Sequence, residues 1–283
     1  MIRRFADDDG KLLELFKPSL RVGTRHRSPR GILFIDNYYL DLVSNLDEDL
    51  LTPIEQKFAL YYPSIVDQDQ PAELSGEGGN ALVDWIASML CRIQAFICLA
   101  QAIAQTENAN ITELVSHVAN VFRTQRYLQW RGILTRSKFR WGITVFPEGC
   151  SIVLTDNPVC QTNDLGQGGM LLLVPLSRRM ILYGGHQQAI NHARSFELGQ
   201  VNAFLGAFAG KSIFAAERAT LEAVKRTLEG HGDYGTDRWC EAARKPYFGC
   251  AERIQRTKFP DRQSISIWWQ QLEANYGDPL FDQ

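Results

Sequence analysis

The stretch Trp141-Gly142-Ile143-Thr144-Val145-Phe146-Pro147-Glu148-Gly149-Cys150-Ser151-Ile152-Val153-Leu154-Thr155 marks a change of character in the chain. Two runs rich in β-branched and aromatic residues, 141–146 and 151–155, flank Pro147-Glu148-Gly149. Breakers between two such runs predict a hairpin. Downstream, residues 170–174 and 179–183 flank Pro175-Leu176-Ser177 and predict two more strands.

Away from this sheet the pattern is helical. Thr52-Pro53-Ile54-Glu55 predicts a helix start, with Thr as cap, Pro in the first turn and Glu reaching back. Residues 67–79 are polar and Gly-rich and predict a loop. An apolar helix is expected over 81–104. Asn110-Ile111-Thr112-Glu113 repeats the capping pattern, and Ile111, Leu114, Val115, Val118, Val121 and Phe122 recur at helical spacing. That helix is expected to continue through Tyr127 and Trp130. Helices are also expected over 196–209, with glycines at 199 and 206 for close packing, and over 215–229, stopped by Gly230. Short strands are expected over 11–16 and 31–39.

This order predicts an α+β fold: a helical half plus an antiparallel sheet, with a helical C-terminal segment. Residues 1–230 are expected to form a single α+β domain, with 231–283 a helical extension packed on it. A parallel nucleotide-binding sheet would need strands alternating with helices and a Gly-rich phosphate turn, and the sequence has neither.

A chain of 283 residues can bury a sizeable core without staples. With 45% hydrophobic and 22% charged residues it is compositionally ordinary, which excludes collagen-like, disordered and disulfide-scaffold classes. The six cysteines form no Cys-x-x-Cys pair, which removes support for a zinc ribbon or a thioredoxin-type site. Cys91 and Cys98 share a helix face but stand about 10 Å apart along the axis, too far to bridge. Residues 1–9 lack an apolar signal region. In the apolar run 81–104, Arg92 near the centre would cost about 3 kcal/mol in lipid. The run therefore reads as a core helix and the protein as cytoplasmic.

Asp156-Asn157-Pro158 follows a strand. A carboxylate and an amide there could hold a metal, a phosphate-bound water or a polar substrate, or could build a turn by bonding nearby backbone. Glu55 has a capping role open to it or, paired with Asp156, a place as hard-oxygen ligand to a divalent ion that activates water. Arg92, among apolar neighbours, needs either a structural carboxylate or a bound anion. Asn202, on a helix of small residues, suits either backbone bridging or the lining of a cleft. No His-Glu-x-x-His, Gly-x-Ser-x-Gly or P-loop pattern occurs, and no metal site is expected.

Charge placement carries a further signal. Between Glu113 and Glu148 there is no acid, while Arg123, Arg126, Arg131, Arg136, Lys138 and Arg140 accumulate among Tyr127, Trp130, Phe139 and Trp141. Cations for phosphates and rings for bases are what single-stranded nucleic acid requires. The same mixture describes an amphipathic helix with rings inward and solvated arginines. Further basic stretches run over 21–30 and 244–262.

Several of these segments, taken in order, resemble the bacterial DUF4238 family. They are Arg4-Phe5-Ala6-Asp7-Asp8-Asp9-Gly10-Lys11-Leu12, Val153-Leu154-Thr155-Asp156-Asn157-Pro158-Val159, Val174-Pro175-Leu176-Ser177 with Met180-Ile181-Leu182, and Val201-Asn202 with the apolar residues through Ala215. Glu55 and Arg92 fall where that family tends to carry a Glu and an Arg. The resemblance covers roughly residues 3–216, and the chain begins after the His-Tyr-x-Pro segment that family members carry ahead of Phe-Ala. It implies a fold and brings no established chemistry with it.

The expected function is binding or acting on a phosphate-rich ligand such as single-stranded nucleic acid. Arg123, Arg126, Arg131 and Arg136 would supply phosphate contacts, Arg92, Asn157 and Asn202 further ligand contacts, and Asp156 with Glu55 any catalysis. The alternative is a non-catalytic protein–protein interaction module that docks a protein partner through the aromatic segment around Trp268 and Trp269.

Overall fold

The computed structural model describes residues 2–23, 46–67, 76–90, 127–128, 130–136, 138–162, 171–209 and 212–230. The fold is α+β, with two four-stranded antiparallel sheets among these residues. The first sheet contains β1 (Leu13–Phe16), β2 (Arg21–Val22), β4 (Leu154–Thr155) and β8 (Ser212–Ala215), in the order β2-β1-β8-β4. The second contains β3 (Arg140–Val145), β5 (Cys160–Thr162), β6 (Leu171–Pro175) and β7 (Met180–Gly185), in the order β3-β7-β6-β5. The helices are α1 (Leu46–Val66), α2 (Gly76–Leu90), α3 (Gln187–Ala193), α4 (Leu198–Phe208) and α5 (Arg218–Leu228).

The chain divides into two compact units, neither of them contiguous in sequence. The first takes Met1–Phe34, Tyr61–Gly78 and Ser137–Arg244 and holds both sheets. The second takes Ile35–Leu60, Gly79–Arg136 and Lys245–Gln283.

The core of the first unit is continuous across its two sheets. The expected hairpin around Pro175-Leu176-Ser177 is β6–β7, with Val174 opposite Leu182. Every residue of these two strands is buried, which is why they read as unbroken apolar runs instead of alternating. α3 packs on β7 and β3, while α4 and α5 pack on each other and on the first sheet. Gly206 permits the α4–α5 approach, since a Cβ there would lie 2.6 Å from a Val224 methyl carbon. Gly230 adopts φ +81 and ends α5 as its position suggested.

Two readings of the sequence need correction. Residues 141–146 and 151–155 do not pair with each other: β3 joins β7, and β4 joins β8 in the other sheet. The Phe146 and Ile152 amides both reach across to the β6–β7 turn, donating to the Arg179 and Arg178 carbonyls at 2.7 Å each. The turn between them, with Gly149 at φ +82, sends the chain from one sheet to the other. The second correction concerns Thr52-Pro53-Ile54-Glu55, which lies inside α1 and not at its start. Pro53 lacks an N–H, but it sits on the exposed side, where water can serve the carbonyl it leaves unbonded.

In the second unit Phe58 of α1 stacks on Trp85 of α2 with centroids 4.4 Å apart. Residues 130–134 are helical, with Ile133 and Leu134 buried. The expected strand over 31–39, the helix from Asn110 up to residue 126 and the C-terminal helical segment lie outside the described residues. Among those described, no helix is long and apolar enough to cross a membrane.

Candidate functional site

The first sheet brings two carboxylates to one serine. Asp156, the residue after β4, donates its backbone N–H to the Ser212 carbonyl at 3.1 Å and accepts the Ser212 N–H through Oδ2 at 3.2 Å. From the other side, the Ser212 hydroxyl donates to Glu14 Oε1 at 2.6 Å. Ser212 opens β8, the strand between β1 and β4, so it can reach both acids. Neither Glu14 nor Ser212 stood out in the sequence. The signal available was Glu14 itself, an acid inside an otherwise apolar strand.

The turn behind Asp156 is held by its own residues. Buried Thr155 donates its hydroxyl to the Asn157 carbonyl at 2.5 Å, and the Cys160 thiol approaches the same oxygen at 3.7 Å. Burial pushes the Cys160 thiol well above its ordinary range; nearby Lys17 opposes the shift and Asp156 adds to it. Lys17 directs its ammonium at the carbonyls of Ala207 and Ala209, both at 2.6 Å. A cation at the last carbonyls of α4 complements the negative end of that helix.

Asn202 is buried, and its amide is engaged at both ends by one stretch of backbone. Oδ1 accepts the Val153 N–H at 2.9 Å, and Nδ2 donates to the Ser151 carbonyl at 2.9 Å. Asn202 therefore bridges α4 to the segment entering β4.

The remaining sequence candidates fall in the second unit. Glu55 is exposed on α1. Arg131 Nε donates to Asp84 Oδ1 at 2.7 Å, so one of the accumulated cations has an acid partner. Arg136 is exposed just after the helical residues 130–134. Arg92, Arg123 and Arg126 lie outside the described residues, as do Trp268 and Trp269.

The basic and aromatic alternation continues into the first unit, over the two residues before β3 and its first two residues. Lys138 and Arg140 are exposed, and Phe139 and Trp141 are half-buried. Phe139 and Trp141 meet edge-on with centroids 4.9 Å apart. Both lie over Gly184 of the neighbouring strand β7. A Cβ at Gly184 would come within 2.8 Å of Trp141 Cε3 and 2.9 Å of Phe139 Cε1. Rings at alternate positions share one side of the strand, and the cations between them take the other.

Residues 1–218 match the DUF4238 family, described as a protein of unknown function. The chain belongs to the DUF4238 family. No curated protein and no solved structure matches it. In this DUF4238 member the family-like Thr155-Asp156-Asn157-Pro158 segment is the turn that ends β4 and grips Ser212. One carboxylate, Glu14, takes the Ser212 hydroxyl and the other, Asp156, takes its backbone N–H; the oxygens left over can accept donors from a polar ligand. Among the described residues no three His, Cys, Asp or Glu side chains are grouped to hold a metal ion.

Proposed function

We propose that this DUF4238 protein binds a phosphate-rich ligand, with single-stranded nucleic acid the class that best fits its chemistry. The observation that carries the reading is the alternation Lys138, Phe139, Arg140, Trp141 leading into β3, an edge strand of its sheet among the described strands. Along this open edge two exposed cations alternate with an edge-on aromatic pair braced on Gly184, the rings on one side of the strand and the cations on the other. Stacking of a base on an aromatic ring is worth about 1–3 kcal/mol and tolerates any base, while the cations meet the phosphates.

Fluorescence anisotropy of labelled single-stranded RNA and DNA at low and high salt tests this. The reading expects micromolar binding that weakens steeply with salt, and a loss of about tenfold or more on Trp141→Ala. Absence of binding at low salt removes it.

A further inference from the structure

The side of the second sheet that faces α3 carries hydrogen-bond donors that the fold leaves unused. Gly142 of β3 stands opposite Tyr183 of β7, so the Tyr183 side chain and the empty Gly142 position share one side of the sheet. The Arg194 guanidinium, just past α3, occupies the space a side chain at Gly142 would take. A Cβ there would lie 3.0 Å from its Nη2 and 3.1 Å from its Nε. Among the described residues no carboxylate forms an ion pair with Arg194.

Tyr183 supplies the second observation. Its side chain is fully buried, yet its hydroxyl makes no hydrogen bond of normal geometry, although Thr144 stands beside it. Buried polar groups are normally satisfied, and one that is not indicates a partner still unaccounted for. Here a phenol, a guanidinium and the Thr144 hydroxyl offer donors on the same side of β3 and β7.

We infer that Arg194, Tyr183 and Thr144 form a binding site for a small oxyanion, a phosphate or phosphate-ester group. A guanidinium presents parallel N–H donors that match two oxygens of a tetrahedral anion, and the hydroxyls serve a third. Glycine at 142 leaves room for the guanidinium and for the Ile190 methyl, which a Cβ there would meet at 2.8 Å. Arg194 is exposed at the edge strand, so an outward turn of its side chain admits the anion to the Tyr183 hydroxyl. The site lies across β3 from Phe139 and Trp141 and stands independently of the nucleic-acid reading.

The experiment is thermal unfolding of wild type, Arg194→Ala, Tyr183→Phe and Arg226→Ala in about 10 mM inorganic phosphate, against chloride at equal ionic strength. Arg226 is exposed on α5 and serves as the control for lost charge. The expected result is a phosphate-specific rise in midpoint in wild type and Arg226→Ala, reduced in both Arg194→Ala and Tyr183→Phe. An equal response in all four proteins, or none in wild type, overturns the site. So does an effect of Arg194→Ala with Tyr183→Phe unchanged, because the hydroxyl would then play no part. Tyr183→Phe removes a single oxygen from a packed core, so its fold is expected to survive. Phosphate binding without oligonucleotide binding would keep this site and remove the nucleic-acid reading; the reverse would do the opposite.

Discussion

Asn202 bonds to Val153 as a neighbouring strand would: its Oδ1 takes the Val153 N–H at 2.9 Å while its Nδ2 serves the carbonyl of Ser151 two residues earlier. The amide thus replaces a sheet partner for the chain entering β4. Asn202→Ala leaves a buried N–H and a buried carbonyl unpaired, at about 1–3 kcal/mol each. A loss of about 2–6 kcal/mol in urea unfolding is expected. A loss under about 0.5 kcal/mol would show that water restores both bonds.

Tyr183 sets an alkaline limit on stability. Burial holds its phenol up at about 12, with the Thr144 hydroxyl and the Arg194 charge pulling the other way. In the unfolded chain it ionises near the ordinary value of 10.0. Between these values the unfolded state binds fewer protons, so this contribution is complete below pH 10 and is lost as pH rises through about 12. The size is of order 2–3 kcal/mol. Tyr62, whose phenol donates to the Leu176 carbonyl, is also raised by burial and adds to the same limb. Denaturant midpoints from pH 9 to 12 are expected to fall less steeply for Tyr183→Phe than for wild type.

Cys160 is expected to resist thiol reagents while the protein is folded. It is fully buried and its thiolate is strongly disfavoured, whereas Cys150 is partly exposed. Brief iodoacetamide labelling near pH 8, read by peptide mass spectrometry, should mark Cys150 first and Cys160 only with denaturant. Equal labelling of the two in native buffer would contradict this burial.

Gly184→Ala tests the seat of the aromatic pair. The added methyl would press on two rigid rings, and overpacking of this kind costs about 1–3 kcal/mol. The melting temperature should fall and the tryptophan emission should shift as Trp141 is displaced. An unchanged emission spectrum would mean that the ring does not rest where Gly184 places it.

Much of the fold was legible in the sequence, and what was not has physical causes. The β6–β7 hairpin and α5 carry their own local signals: a Pro-Leu-Ser turn between apolar runs, and a glycine at the helix end. The false hairpin over 141–155 failed because hydrophobic runs do not say which strand each run joins. That choice is made by Arg178 and Arg179, some thirty residues on. The four-residue β8 was not foreseen, and its last residue Ala215 was placed in the following helix, because Ser-Ile-Phe-Ala is short and has no alternation. Thr52-x-x-Glu55 misled because a capping pattern can also occur in mid-helix. In the candidate site, Asp156 drew attention through its turn, but its partner Ser212 and the Glu14 that Ser212 bonds are separated by 198 residues, and only the folded sheet brings them together.

The same sheet constrains how the protein is made. β1 takes its register from β8, with Leu13 opposite Ala215, 202 residues later in synthesis. At roughly 5–20 residues per second, the ribosome delivers that partner about 10–40 s after β1 has been made. Until then β1 has only the short β2 beside it, and its buried leucines await the strand that completes their core. Closure of the first sheet is therefore a late event in the life of each nascent chain.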